Sequence, residues 1–545
     1  GGSGNDYLNG GAGNDKLYGD AGNDRMLGGA GNDIYYVDST SDRVYETTST
    51  SGSNTTDAGG TDRIYSTVSL KIDAYNGVKH VEHLTLQGTS NIYGYGNDNN
   101  NTIVGNSGKN TLKGGSGNDY LNGGAGNDKL YGDAGNDRML GGDGNDIYYV
   151  DSTRDRVYET TSTSGTNTTD AGGTDRIYST VSVNMDAYNG VKHVEHLTLQ
   201  GSGNIVGYGN DNNNTIVGNS GKNTLKGGSG NDYLNGGAGN DKLYGDAGND
   251  RMLGGAGNDI YYVDSTSDRV YETTSTSGSN TTDAGGTDRI YSTVSLKIDA
   301  YNGVKHVEHL TLQGTSNIYG YGNDNNNTIV GNSGKNTLKG GSGNDYLNGG
   351  AGNDKLYGDA GNDRMLGGDG NDIYYVDSTR DRVYETTSTS GTNTTDAGGT
   401  DRIYSTVSVN MDAYNGVKHV EHLTLQGSGN IVGYGNDNNN TIVGNSGKNT
   451  LKGGSGNDYL NGGAGNDKLY GDAGNDRMLG GAGKDTLEGG DGRDYMYAGN
   501  DSDRDIFIFR DIDETVTGSQ RDRIYQFDSG EDDIHLRNID ANEDL

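Results

Sequence analysis

The chain has 545 residues, of which 99 are Gly, only 29% are hydrophobic, and none is Pro, Cys or Trp. An average domain is about half apolar, so a thick central core is excluded, as are disulfides and cysteine-held metal centres. The formal net charge of −35, from 76 acidic and 41 basic side chains, excludes nucleic acid and anionic membrane surfaces as partners, because both need clustered Lys and Arg.

Low hydrophobicity with high net charge keeps a chain unfolded unless something supplies counter-charge. Divalent cations are the natural source. No apolar run reaches transmembrane length, so membrane insertion is not expected. The chain starts at Gly1, in the first residue of a repeat and without a signal-like segment, and is read as a piece of a longer protein.

The first element is a run of nonapeptides. Gly1-Gly2-Ser3-Gly4-Asn5-Asp6-Tyr7-Leu8-Asn9 is followed by Gly10-Gly11-Ala12-Gly13-Asn14-Asp15-Lys16-Leu17-Tyr18, and two more units run through Tyr36. In each, glycines at positions one, two and four permit a tight turn with φ > 0. The last three residues are extended. Period-two alternation sends position eight, held by Leu8, Leu17, Met26 and Tyr35, to the interior, and positions seven and nine to the other face. Two units make one turn of a flattened coil with a strand on each side, and successive turns stack as parallel strands.

From Val37 to Tyr95 the nonapeptide is lost, but strand-like runs remain: Ile34 to Val37, Arg43 to Tyr45, Arg63 to Val68 and Val81 to Leu86. The Ser-, Thr- and Gly-rich stretch Thr47 to Thr61 is expected to be an exposed loop. Lys79-His80-Val81-Glu82-His83 lacks the spacing of a zinc-protease helix, and both histidines are read as ordinary strand residues. Whether this stretch continues the coil is left open by its residues. The nonapeptide register returns weakly at Gly96 and clearly at Gly105 to Lys113, where Asn110 takes the place of Asp.

The whole pattern then repeats. The string opening at Gly1 recurs at Gly114, Gly227, Gly340 and Gly453, a period of 113 residues. Residues 1–113 and 227–339 are identical, as are 114–226 and 340–452, giving an ABAB array. A and B differ at few positions, among them Ala30 against Asp143, Ser41 against Arg154 and Tyr93 against Val206. Residues 453–497 hold five further units, and 498–545 form a distinct end that contains all three Phe.

Position six carries the chemistry. Stacking sets its aspartates above one another beside the carbonyls of the turns: Asp6, Asp15, Asp24 and Asp33; Asp119, Asp128, Asp137 and Asp146; Asp232, Asp241, Asp250 and Asp259; Asp345, Asp354, Asp363 and Asp372; and Asp458, Asp467, Asp476, Asp485 and Asp494. Such columns repel themselves unless a cation intervenes. Calcium takes about six to eight oxygen ligands and mixes carboxylates with carbonyls in flexible geometry, whereas magnesium demands a tighter octahedron. Multiple Ca2+ ions are therefore expected, and their binding becomes folding free energy. Asp20 and its copies, at position two, and Asp143 and Asp369, at position three, are expected to face solvent.

These 21 units in register resemble the repeats-in-toxin (RTX) calcium-binding proteins. The resemblance implies an all-β, right-handed parallel β-roll or β-solenoid with calcium in the turns, and it implies that the position-six aspartates are ligands. It further implies passage through a type I secretion ABC exporter and folding on meeting extracellular calcium. Asp42-Arg43-Val44-Tyr45-Glu46 and Val81-Glu82-His83-Leu84-Thr85-Leu86 are similar to segments between RTX clusters of large bacterial surface proteins. Asp505-Ile506-Phe507-Ile508-Phe509 and Phe527-Asp528-Ser529-Gly530-Glu531-Asp532-Asp533-Ile534 resemble the terminal cap of RTX proteases and lipases. Asn110 departs from the pattern, which weakens metal sites at the block edges.

No nucleophile–base constellation stands out, and the expected role is structural rather than enzymatic: a secreted or cell-surface extender or filament, an adhesin, or a surface-layer or matrix component. The alternatives are the secretion and folding module of a larger RTX enzyme (protease, lipase or epimerase), or a solenoid that binds cell-surface glycan. Self-association is a further expected mode of partnership. The many Tyr read better as stacked ladders than as a sugar-binding surface.

Overall fold

The computed structural model describes residues 1–47, 57–72, 78–160, 170–186, 191–272, 284–298, 304–385, 397–412, 417–510 and 521–537. Its regular structure is parallel β-strand throughout, apart from one-turn 3-10 helices such as Val78–His80. The chain divides into two compact units, Gly1–Gly286 and Thr287–Leu545.

In the first unit, Lys16–Tyr18, Ile34–Val37, Arg63–Ser66, His83–Leu86, Thr102–Val104, Tyr120–Ala125, Arg138–Asp143 and Arg156–Tyr158 pair in that order as one sheet. The strands between them in sequence, such as Tyr7–Ala12, Arg25–Ala30 and Arg43–Tyr45, and then Leu70–Lys71 through Arg269–Tyr271, pair on the opposite side. Each strand thus bonds to the next but one, as a two-strand coil requires. The second unit repeats the plan, with sheets running from Leu296–Lys297 to Arg523–Tyr525 and from Val409–Asn410 to Asp533–Leu536.

Register follows the 18-residue pair of units. Leu8 lies opposite Met26, and Met26 opposite Val44. Position-eight side chains fill a thin interior: Leu121, Leu130, Met139 and Tyr148 are all 0% exposed. Only Leu8, in the first turn, is half-buried. Among the described residues of 498–545, the strands Ile506–Phe509, Arg523–Tyr525 and Asp533–Leu536 add further parallel turns. Phe507 is buried there and Phe527 is exposed.

The stretch between nonapeptide clusters continues the coil. Ile34–Val37 pairs with Arg63–Ser66, which pairs with His83–Leu86, which pairs with Thr102–Val104. Three expectations change here. The strand at Arg63 stops at Ser66, because Ser66 Oγ bonds both the carbonyl (2.8 Å) and the amide (3.2 Å) of Val68 and turns the chain. His80 lies in a 3-10 turn, not a strand. Thr47 is buried rather than part of an exposed loop, since it bridges Asp57; Asp57, Gly59, Gly60 and Thr61 are exposed, and residues 48–56 lie outside the described set.

Each 113-residue period contributes eleven described strands. The number is odd, so an equivalent strand changes sides from one block to the next. Tyr7–Ala12 and its copy Tyr120–Ala125 accordingly belong to different sheets, as do Tyr93–Tyr95 and Val206–Tyr208.

Candidate metal centres

The position-six aspartates are built into columns by their own backbones. The amide of Asp6 donates to Asp24 Oδ1 at 2.7 Å, and that of Asp24 to Asp42 Oδ1 at 2.9 Å. Asp119 donates to Asp137 and Asp137 to Asp155, at 2.7 and 3.0 Å. The second unit repeats this from Asp345 to Asp363 and from Asp458 through Asp476 to Asp494. One carboxylate oxygen therefore holds the preceding turn in register.

The other oxygen is left over. In every position-six aspartate except Asp259 and Asp494, Oδ2 is buried and accepts no hydrogen bond. A buried anionic oxygen without a partner costs several kcal/mol by order of magnitude, and here the cost recurs turn after turn. The oxygen faces a hole that only Gly leaves open. A Cβ placed on Gly123 would strike Asp128 Oδ2 and come within 2.6 Å of the Gly141 carbonyl, two units on. Gly10 repeats this with Asp15 Oδ2 at 2.6 Å and the Gly28 carbonyl at 2.7 Å. Carboxylate and carbonyl oxygens thus converge on one spot, which is the donor set a hard divalent cation takes.

Electrostatics agree. Burial pushes Asp119, Asp137 and Asp146 up to about 7 and Asp128 to about 6, against the lowering effect of the amide each accepts. Asp476 and Asp485 rise to about 8. Without counter-charge these groups resist ionising; a cation at the Oδ2 atoms reverses that preference.

Asparagine at the same position behaves differently. Asn110 is buried, but its Oδ1 accepts the Asn106 amide at 2.8 Å and its Nδ2 donates to Ile92 O and Asn106 Oδ1, both at 3.0 Å. Asn101 closes on Asn97 and the Val81 carbonyl in the same way. A neutral amide satisfies itself where a carboxylate leaves an oxygen over.

Asp20 and its copy Asp472 are exposed as expected, whereas the copies Asp133, Asp246 and Asp359 are half-buried; all five have positive φ, 58° at Asp20, in the left-handed region that Asp tolerates better than most residues. Asp143 and Asp369 are exposed. His83 Nδ1 is buried and lacks a partner; among the described residues, no group of side chains able to hold a metal includes a histidine.

The motif reading missed the acids that carry the columns through the inter-cluster stretch. Asp42, Asp62 and Glu82 stand in the position-six place: Asp33 donates to Asp62 Oδ1 at 2.7 Å, and Asp62 to Glu82 Oε2 at 2.9 Å. Each is an acid followed by a strand with an apolar residue two places on, as in Asp62-Arg63-Ile64. That signal was readable without the glycines.

The family model of the RTX calcium-binding nonapeptide repeat matches residues 1–35, 95–130, 122–157, 208–243, 227–261, 235–270, 321–356, 348–383, 434–469 and 470–505. No curated protein matches the chain. The matched segments cover over half of the chain and coincide with the glycine turns and carboxylate columns just described. The chain therefore belongs to the RTX calcium-binding nonapeptide repeat family.

Proposed function

We propose that the chain is an extracellular structural repeat protein that folds on binding several calcium ions after export: an extender or filament segment of an adhesin, surface layer or matrix. The observation that carries this is the column of buried, unpartnered Oδ2 atoms. In this reading the position-six aspartates hold the ions together with turn carbonyls, and the ion supplies the charge that lets adjacent turns close. Export through a type I exporter suits a chain that stays open and self-repelling at low calcium. The reading assigns the chain no catalytic centre. Near-identical blocks support a role in which length is the product, because duplication extends a coil without altering its chemistry. Self-association is compatible with this role.

Glycan binding is less well supported. Sugars stack on free aromatic faces, but Tyr131 and Tyr149 lie 4.0 Å apart and stack on each other, and Lys113 Nζ sits 4.5 Å from the Tyr131 ring centre. The test is far-UV circular dichroism of chelator-treated protein during calcium titration, with magnesium as control. A cooperative gain of β-structure at about 0.1–1 mM calcium, the range of extracellular modules, is expected. A spectrum already β-rich in chelator at pH 8 overturns the proposal.

A further inference from the structure

In the first block the 18-residue rule breaks most widely at one step. Asp33 reaches a partner 29 residues on, Asp62, rather than 18 on. On either side of residues 48–56, Thr47 and Asp57 bridge antiparallel and the Ala58 amide donates to the Glu46 carbonyl at 3.4 Å. Glu46 does not belong to a nonapeptide, nor does Asp62.

At this junction Asp33, Glu46 and Asp62 each offer a carboxylate oxygen, all within 4.8 Å of one another. Asp33 and Asp62 are 1% exposed and Glu46 is 0% exposed. Asp33 Oδ2 and Glu46 Oε2 are buried without a hydrogen-bond partner, while Glu46 Oε1 accepts from the Tyr35 hydroxyl. A Cβ on Gly28 would strike Asp33 Oδ2 and Tyr35 Oη and lie 2.5 Å from Glu46 Oε1, so the oxygens close around one small space. No Lys or Arg pairs with the three among the described residues. The second block repeats the group as Asp146, Glu159 and Asp175; there Asp146 Oδ2, Glu159 Oε2 and Asp175 Oδ2 all lack partners.

We propose that Asp33, Glu46 and Asp62, and likewise Asp146, Glu159 and Asp175, form a second class of calcium site, in which the last nonapeptide aspartate of a cluster joins two acids from outside the nonapeptides and clamps the coil where the step between column acids widens to 29 residues. Donor chemistry selects the ion. Three carboxylates with no His or Cys disfavour zinc. Magnesium keeps several waters when protein-bound, and a site this buried leaves little room for them. The inference deepens the calcium reading above and rests on it.

The test counts ions on the full chain by native mass spectrometry, with calcium as the only divalent cation. Glu46→Gln/Glu159→Gln is expected to carry two fewer ions than the wild type and to keep the rest. An equal count overturns the inference, and shared protons then hold these carboxylates together. A wild type that binds no calcium at all would instead overturn the broader reading. Should the variant fail to fold, anomalous diffraction from wild-type crystals grown in calcium decides: a peak between Asp33 Oδ2 and Glu46 Oε2 supports the site, and its absence overturns it. The same two ions retained from magnesium alone would overturn the assignment to calcium.

Discussion

Aspartate and asparagine at position six differ by one group, and the fold separates what each does. Asp128 gives Oδ1 to the Asn110 amide at 2.7 Å and leaves Oδ2 without a partner, whereas Asn110 spends both ends of its amide on neighbours. Asn110→Asp should therefore create a site: the carboxylate oxygen that replaces Nδ2 would face the Ile92 carbonyl and Asn106 Oδ1, having lost the N–H groups that now bond them. We expect one additional calcium ion per chain by native mass spectrometry, and a higher calcium midpoint for folding, because another buried charge must be neutralised. The glycine at position one makes the opposite case. Gly123→Ala sets a methyl against Asp128 Oδ2 and the Gly141 carbonyl, in the space assigned to an ion. It should cost one ion and shift the calcium midpoint upward, while Ser116→Ala, an exposed position-three change, should leave both unaltered.

At the scale of the strand, the interior is only two side chains thick. Leu121 has the full burial of a core residue without a deep core around it to collapse into the space it vacates. Leu121→Ala should therefore cost about 2–5 kcal/mol of calcium-saturated stability, read by chemical denaturation. Outside, Tyr149 stacks on Tyr131 at 4.0 Å and on Tyr178 at 5.3 Å; Tyr149→Ala should cost about 0.5–1.5 kcal/mol beyond its buried area. These elements were legible in sequence where the nonapeptide fixes both turn and strand: Leu17, Met26 and Tyr35 fall inside as the alternation requires. Legibility weakened where the nonapeptide spacing is lost. Between Val37 and Tyr95 the triplets Asp42-Arg43-Val44, Asp62-Arg63-Ile64 and Glu82-His83-Leu84 still mark an acid ahead of a strand, but only Asp42 keeps the 18-residue step; Asp62 follows Asp33 by 29 residues and Glu82 follows Asp62 by 20, so their place on the columns could not be read from a period. The junction of Asp33 with Glu46 and Asp62 was unreadable for the same reason, since its members come together only once the 29-residue offset is known.

Over the whole chain, protons and calcium compete for the same oxygens. The unfolded aspartate titrates near about 3.9, but burial holds Asp119, Asp137, Asp232 and Asp345 at about 7 in the folded chain. The metal-free fold therefore binds more protons than the unfolded chain between roughly pH 4 and pH 7. Its stability must then fall as pH rises through that window and be lowest above it, where the net charge of −35 also repels most strongly. Acid should thus substitute for calcium: chelator-treated protein should keep β-structure at pH 5 and lose it by pH 8. The amplitude of the calcium-induced change in circular dichroism should shrink as pH is lowered. Calcium added near pH 6 to the acid-folded chain should release protons, detectable in a weakly buffered solution, whereas at pH 8.5, with the carboxylates already ionised, it should release few. A chelated chain as unstructured at pH 5 as at pH 8 would mean that these carboxylates are not buried before the metal arrives, and that calcium assembles the columns rather than filling them.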